Sequence, residues 1–406
     1  MDLFLSAPPV SLSGRIALPA SKSISNRLLI IRALTGNSFS VSHLSDSDDT
    51  RSLIEALGSE ADTIDVGHAG TTMRFLAAFF AAVGRDVVLT GSERMKQRPI
   101  GPLVDALNGL GARITYLEKE GFPPIRMGRS SLSGTRVVVT AAVSSQFISA
   151  LLLSAPALPQ GLEIVREGKE VSSSYIEMTL RLMAQFGVEA QVRGASVYVP
   201  RSHYRGADCV VESDWSGASY WYALAALLPV NDLFLEGLQK ESVQGDARVA
   251  EWFGLLGVES LYEPEGVRLR KTERCCTLFE MDLLNQPDLI QTFVVTLCMM
   301  EIPFRISGAE TLRIKETDRI AALQREMTKL GYSIENPLPG LLVWDGVRTQ
   351  PVNQPAIETY HDHRMAMAFA PAAVRFHGLK ILDAGVVSKS YPLFWDHLRA
   401  VGFDLG

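Results

Sequence analysis

Six short polar loops carry most of the residue types in this chain that can do chemistry, and each opens an apolar stretch long enough for a helix. Lys22, Ser23 and Arg27 open SKSISNRLLIIRAL, Gly70, Thr71, Thr72 and Arg74 open AGTTMRFLAAFFAA, and Ser144, Ser145 and Gln146 open SSQFISALLLSAP. Asp214 and Ser216 open DWSGASYWYALAALL, Asp288 opens PDLIQTFVVTLCMM, and His363 with Arg364 opens DHRMAMAFAPAAV. A helix start presents unpaired N–H groups and a partial positive charge, so Lys or Arg there is disfavoured by about 0.3–1 kcal/mol unless an anion is bound. Basic residues repeated at that end point to phosphate or carboxylate ligands held at helix starts; the alternative is a set of exposed basic caps. Two further segments add charge. GSERMKQRPIG places Arg94, Lys96 and Arg98 ahead of a helix, and LRIKETDRIAAL supplies Arg313, Lys315, Glu316, Asp318 and Arg319. Lys315 and Arg319, four apart, are expected on one helical face. The same segment also reads as the solvated start of an amphipathic helix with Asp318 serving its dipole, and Lys389 in GVVSKSYP is ambiguous alone.

The stretches behind these loops are apolar around their whole circumference, which marks them as buried helices needing cover on every side. Alternating with them is a second helical phrase that closes on a glycine, at Gly58, Gly111, Gly187, Gly257, Gly331 and Gly402, recurring about every 70 residues. Glycine suits the position just past a helix, where a left-handed backbone closes the last turn. Runs such as TRVVVTA, LEIVRE, LFLEGL, FRISGA and LKILDAG read as strands, and VEAQVRGASVYVP and VESLYEPEGVRLRKTE as hairpins. The repeating unit is therefore strand, buried helix, strand, surface helix, hairpin. From a closing glycine to the next polar loop takes about 30 residues in most units but only about 12 from Gly58 to Gly70, so one hairpin is missing there. The last unit stops just after Gly402, while VSLSGRIALPA is a strand with no helix before it, so the two ends are expected to complete one unit. The expected fold is α/β (α+β) in two domains of three units. One spans 20–212, with its first unit shortened, and the other 1–19 plus 213–406, with crossings near 19–20 and 212–214.

Composition narrows the class. Of 406 residues, 47% are hydrophobic and 21% charged, which fits a soluble globular protein. Lys plus Arg number 39 against 45 Asp plus Glu, a net charge of −6, so no basic field points to nucleic acid and an anionic ligand must be held locally. Cys209, Cys275, Cys276 and Cys298 show no CxxC spacing and are too few to staple the chain, which suits a reducing cytoplasm. No apolar run reaches about 18 residues, and MDLFLSAPPV lacks the basic region of a signal peptide, so neither membrane nor export is expected. Asp46, Asp48 and Asp49 resemble a carboxylate run for metal but more simply cap a helix. His361, Asp362 and His363 lack an evident further zinc ligand. GHAGTT lacks the GK[ST] of a P-loop, no GxGxxG or GxSxG motif is present, and Cys209 and Cys298 read as core residues. No metal and no cofactor are expected.

LPASKSISNR, VGHAGTTMRF, RMKQRPIG, SSQF, VSSSYI, PD, RIKETDR, DHRMAM and SKSYP, in this order along nearly the whole chain, resemble the 5-enolpyruvylshikimate-3-phosphate synthases. RPIG, KETDR and DHRMAM are specific to them, whereas SK and the repeat are shared with UDP-N-acetylglucosamine enolpyruvyl transferases. The resemblance implies two domains, each of three βαβαββ units with buried parallel helices and outer mixed sheets, an inside-out α/β arrangement. It implies transfer of the enolpyruvyl group of phosphoenolpyruvate to the 5-hydroxyl of shikimate 3-phosphate, with release of phosphate through a tetrahedral intermediate, and without metal or cofactor. It puts Lys22, Gly70, Arg98, Gln146, Arg319, Arg364 and Lys389 around phosphoenolpyruvate. Around shikimate 3-phosphate it puts Lys22, Ser23, Arg27, Ser144, Ser145, Gln146, Ser172, Asp288, Thr311 and Lys315. Arg forks, Lys charges and hydroxyl or amide donors are the types such anions require. Asp288 is the expected general base, with Glu316 and Lys22 handling the other proton.

The sequence departs from the family pattern at His68, His361 and Thr311, where Asn is usual, at Phe75, where Pro is common, and at the missing hairpin. A nucleotide-sugar transferase would want a reactive loop cysteine, and none of the four lies there. A non-catalytic anion binder would be expected to lack Asp288, Glu316 or Lys22, and all three are present. An RNA-phosphate cyclase would want a basic surface. A cytoplasmic monomer acting on two small anions, with no nucleic-acid or membrane partner, is the expectation.

Overall fold

The structure is a computed structural model describing residues 2–8, 11–140 and 144–406. It divides into two compact units, 21–211 and 1–20 plus 212–406. Within each, helices apolar all round occupy the interior because they have no polar face to give to water. In the 21–211 unit these are Lys22–Leu34, Gly70–Val83 and Ser145–Ser154, which pack on one another. In the other they are Trp215–Leu227, Ile290–Met299 and His363–Phe369. Every residue of Ile290–Met299 is buried, packed beside both other inner helices and carrying Phe293 against Phe253 and Phe279.

Among the described residues, five four-stranded sheets share one topology. Two parallel strands sit beside an antiparallel pair, the parallel two joined through an inner helix except for Leu12–Ile16 and Val230–Glu236, between which the chain also runs through the whole 21–211 unit. Thr63–Asp65, Val87–Thr90, Ile125–Gly128 and Arg113–Tyr116 form one, and Arg136–Thr140, Leu162–Glu167, Ser196–Val199 and Gln191–Arg193 the next. The other unit repeats this three times: Leu12–Ile16 with Val230–Glu236, Phe279–Asp282 with Phe304–Ser307, and Ala356–Ile357 with Leu379–Ile381 are its parallel pairs. The sixth sheet is two short parallel strands, Val41–Ser42 and Cys209–Val210. It belongs to the unit whose hairpin the sequence spacing found missing.

Two expectations are corrected here. The chain ends do complete one sheet, but through Leu3–Ser6, which pairs with Asp404–Leu405 and Leu379–Ile381. The strand within VSLSGRIALPA, Leu12–Ile16, instead pairs with Val230–Glu236; Val10 at the start of that segment, like Ala141 at the end of TRVVVTA, lies outside the described residues. Secondly, Gly111, Gly187, Gly257, Gly331 and Gly402 are left-handed, with φ from 81° to 106°, but Gly58 is not. It remains inside the Asp48–Gly58 helix and Ser59 runs on extended. The left-handed glycine turns the chain from helix to hairpin, and where no hairpin follows that turn is not needed.

Candidate active site

In the unit made of 1–20 and 212–406, the centre of the charged cluster is Asp288. It sits in a short 3-10 turn, Pro287–Leu289, that leads into the Ile290–Met299 helix. Arg319 Nη1 donates to its Oδ1 at 3.1 Å and Arg364 Nη2 to its Oδ2 at 2.8 Å, while Lys315 Nζ stands 3.9 Å from Oδ1. Arg319 is the first residue of its helix and almost fully buried. A guanidinium in that position requires carboxylates, and it has them: Asp362 takes Nε at 2.7 Å and Nη2 at 3.2 Å, and Glu316 takes Nη2 at 2.9 Å. Burial works against the charge of Arg319, but Asp362, Glu316 and Asp288 outweigh it and raise its pKa. Lys315 goes the other way: desolvation lowers it, with only partial compensation from Asp288.

Asp362 has a second task. It caps the His363–Phe369 helix, its Oδ1 accepting from the backbone N of Arg364 at 2.9 Å, and so fixes the Arg364 that reaches Asp288. The preceding Tyr360 and His361 hold left-handed backbones, φ 53° and 54°. His361 is anchored by Asp383 (Nδ1 to Oδ2, 2.8 Å), and its carbonyl accepts from Lys389 Nζ at 2.8 Å. Thr311 lies buried in the turn before Lys315.

The expectation that Lys315 and Arg319 share a helical face is not met. Asp318 caps the helix, accepting from Ala321 N, so the helix begins at Arg319 and Lys315 lies outside it in extended backbone. The two converge on Asp288 through the fold instead.

The 21–211 unit carries its own set. Ser21 caps the first inner helix, and Lys22, its first residue, meets Asp49 at 3.2 Å. Asp48 and Asp49 form the first turn of a helix capped by Ser47, so the carboxylate run is a helix start; among the described residues no three His, Cys, Asp or Glu side chains gather as a metal site. Ser144 caps Ser145–Ser154 by accepting from Gln146 N, and Gln146 Nε2 donates to Thr71 Oγ1 at 3.2 Å. Ser172, at φ 57°, turns the chain into the Ser173–Gln185 helix. Arg27 and Arg74 lie further along their helices than the loop reading put them. Arg27 is turned inward, donating to Thr179 Oγ1, Ser149 Oγ and the carbonyls of Ser23 and Tyr175, so it ties three helices together, and burial lowers its pKa to about 10. Phe75 is buried beneath it, 5.5 Å from ring centre to guanidinium carbon, and the helix still begins at Gly70. Arg74 donates to the carbonyls of Gly70 and Pro99. His68 sits in the turn ahead of Gly70.

Gly70 is defined by Arg98. A Cβ added there would lie 2.5 Å from Nη1 and 2.8 Å from Cζ of the Arg98 guanidinium. Real Cβ atoms do not tolerate such contacts, but the neighbour is the end of a flexible side chain, so the fold survives and Arg98 moves. If Arg98 grips a substrate anion, as the resemblance implies, Gly70→Ala is expected to raise KM for that anion by about tenfold, the loss of one charge-assisted hydrogen bond. Melting temperature should be unchanged. Steady-state kinetics against each substrate separately is the check, and an unchanged KM for both would show that Arg98 grips neither.

Sequence reasoning weighed Asp49 only as a metal or capping candidate and Asp362 only as a metal candidate, missing that each pairs with a buried cation, and it passed over the buried Asp246 altogether. Asp49 and Asp362 stood inside recognised segments, beside helix starts where a buried cation needs a partner. Asp246 carried no motif.

A family model for EPSP synthase (3-phosphoshikimate 1-carboxyvinyltransferase) matches residues 7–59 and 57–398. The 3-phosphoshikimate 1-carboxyvinyltransferase of Bacteroides fragilis (strain ATCC 25285) is 48% identical over 403 residues, covering 99% of this chain and 98% of its own. That of Photobacterium profundum is 36% identical over 424 residues, covering 97% and 98%. An EPSP synthase structure from Acinetobacter baumannii superposes with a TM-score of 0.76 over the full length of both chains at 20% identity, which speaks to the fold. Since these matches run through both units and through every loop that supplies the charged clusters, the chain belongs to the EPSP synthase family.

Proposed function

We propose that this chain transfers the enolpyruvyl group of phosphoenolpyruvate to the 5-hydroxyl of shikimate 3-phosphate and releases phosphate. The observation that carries the reading is a carboxylate, Asp288, held among Arg319, Arg364 and Lys315 at the start of an inner helix. A carboxylate so placed can accept a proton, while the cations beside it receive anions.

Phosphoenolpyruvate is assigned to Lys22, Gly70, Arg98, Gln146, Arg319, Arg364 and Lys389. Shikimate 3-phosphate is assigned to Lys22, Ser23, Ser144, Ser145, Gln146 and Ser172, with Asp288, Thr311 and Lys315. Arg27 serves that set through Ser23, whose carbonyl it holds at 2.8 Å. Thr311 Oγ1, buried without a protein hydrogen-bond partner, suits a ligand oxygen.

In the addition step the 5-hydroxyl oxygen bonds to C2 of phosphoenolpyruvate as Asp288 takes its proton, and C3 receives a proton from Lys22 or Glu316 and becomes a methyl group. In the elimination step the C2–O bond to phosphate breaks, the methyl returns a proton to the group that supplied it, the C2–C3 double bond is restored, and the proton held by Asp288 leaves with the phosphate. Arg319 is raised in pKa and remains charged throughout, so it can stabilise the intermediate's carboxylate and the departing phosphate. Glu316 is bonded to Arg319, and Lys22 to Asp49.

The four cysteines are free, which supports a reducing cytoplasm, and among the described residues no helix is long and apolar enough to cross a membrane. We take the active species to be a monomer. The test is phosphate release from phosphoenolpyruvate by the purified protein, with and without shikimate 3-phosphate, in chelator and without added cofactor. Release that requires the shikimate ester is the expected result. Release without it, or none with both ligands bound, would overturn the reading.

A further inference from the structure

The helix that begins at Arg319 holds the chain ahead of the His363–Phe369 helix at two places. At its first residue, Arg319 is bound by Asp362. Two turns on, about 10 Å along the axis, stands Glu326. Its carboxylate is fully buried, and a charge so placed must be paired. Oε1 accepts from Tyr360 Oη at 2.6 Å, and Oε2 from the backbone N of Glu358 at 3.0 Å and from Lys329 Nζ at 2.6 Å. Lys329 Nζ also donates to the carbonyl of Ala356 at 2.9 Å. The segment from Ala356 to Asp362 is thus fastened along the helix.

That segment contains the left-handed pair Tyr360 and His361. A side chain in this conformation is strained, most of all a bulky one, and it persists only where its surroundings hold it. Each of the two has a side-chain tie of its own: Tyr360 to Glu326, and His361 to Asp383. Burial first, and Glu326 second, push the Tyr360 hydroxyl up to about 12, so it keeps its proton and remains a donor. The turn has consequences on both sides. Asp362, the next residue, binds Arg319 and caps the helix of Arg364, while the carbonyl of His361 accepts from Lys389 Nζ. One two-residue turn therefore sets where three cations assigned to phosphoenolpyruvate stand relative to one another.

We infer that Glu326 and Tyr360 are positioning residues for phosphoenolpyruvate: their hydrogen bond holds the left-handed turn at 360–361, and through it the mutual placement of Arg319, Arg364 and Lys389. This rests on the assignment of those cations to that substrate. Without the bond the turn is populated part of the time, and only that fraction binds with full affinity. Saturating substrate restores the turn, so the loss falls on KM and not on kcat.

Glu326 is paired with Lys329 in the interior and its replacement endangers the fold, so the hydroxyl is the part to remove. Tyr360→Phe should raise KM for phosphoenolpyruvate by about tenfold, the shift in population that the strain of one left-handed residue produces. Its kcat should stay within about twofold, and KM for shikimate 3-phosphate should not change, because Asp288, Thr311 and Lys315 lie outside the turn. Tyr360→Gly also lacks the hydroxyl but adopts the left-handed conformation without strain, so its KM for phosphoenolpyruvate should return to within about threefold of the parent's. Steady-state kinetics of both variants, with melting temperatures, is the experiment. A lower melting temperature in Tyr360→Phe with KM unchanged, an equal rise in KM for both substrates, or the same KM in the Phe and Gly variants overturns the inference. Arg364→Lys tests the assignment beneath it, since a lysine keeps the charge and loses the fork. If that variant leaves KM for phosphoenolpyruvate unchanged, the assignment of Arg364 falls and the inference with it; if KM rises there but not in Tyr360→Phe, the inference alone falls.

Discussion

Asp288→Ala is expected to lower kcat by about 10³-fold, the typical share of a well-placed general base, while shikimate 3-phosphate binds within about tenfold of its normal affinity. The disparity follows from the surroundings. Asp288 draws Arg319, Arg364 and Lys315 toward itself. On the reading of Asp288 as the base, removing it deprives the reaction of a proton acceptor but leaves three cations with one fewer internal partner, so an incoming anion meets less competition. KM for phosphoenolpyruvate should fall in the variant even as turnover nearly vanishes. The fold should stand, because Arg319, the most buried of the three, keeps Asp362 and Glu316. Steady-state turnover beside calorimetric titration with each substrate separates the two effects. Equal losses in turnover and in shikimate 3-phosphate affinity would show that Asp288 only binds.

The inner helices were legible because stretches apolar on all sides can only be interior, and their polar loops were legible because cations at helix starts are anomalous. The missing hairpin was legible by spacing alone, and the unit that lacks it has the two-stranded sheet of Val41–Ser42 and Cys209–Val210. What pattern could not supply was the outcome of competing local rules. An i, i+4 spacing put Lys315 and Arg319 on one face, but Asp318 is a better cap than an interior residue and restarted the helix between them. Two short strands near the amino terminus have similar patterns, and only pairing decided that Leu3–Ser6 joins the chain's end. Asp246 was invisible for a further reason. In QGDAR it resembles any loop aspartate, and its partner Ser216 comes to it from a distant position.

Asp362→Ala carries the largest expected loss of stability, about 3–5 kcal/mol, with roughly 1 kcal/mol more for the lost helix cap. Arg319 is almost fully buried and cannot turn to water, and Asp362, itself fully buried, holds two of its nitrogens at 2.7 and 3.2 Å. Without that partner the guanidinium must rely on Glu316 and Asp288, pulling both toward itself and away from the proton transfers proposed for them. The His363–Phe369 helix loses its first-turn bond at the same moment, so Arg364 is misaimed together with Arg319. Stability and kcat/KM for phosphoenolpyruvate should therefore fall together, unlike in Asp288→Ala. Asp362→Asn distinguishes the causes, since an amide oxygen still caps the helix but brings no charge: it should recover the cap's share of stability and little of that owed to Arg319. Urea unfolding of the three proteins measures both shares. If Asp362→Asn proved as stable as the parent, the Arg319–Asp362 pair would be an ordinary hydrogen bond, and the neutralisation that keeps Arg319 charged in the interior would have to come from Glu316 and Asp288.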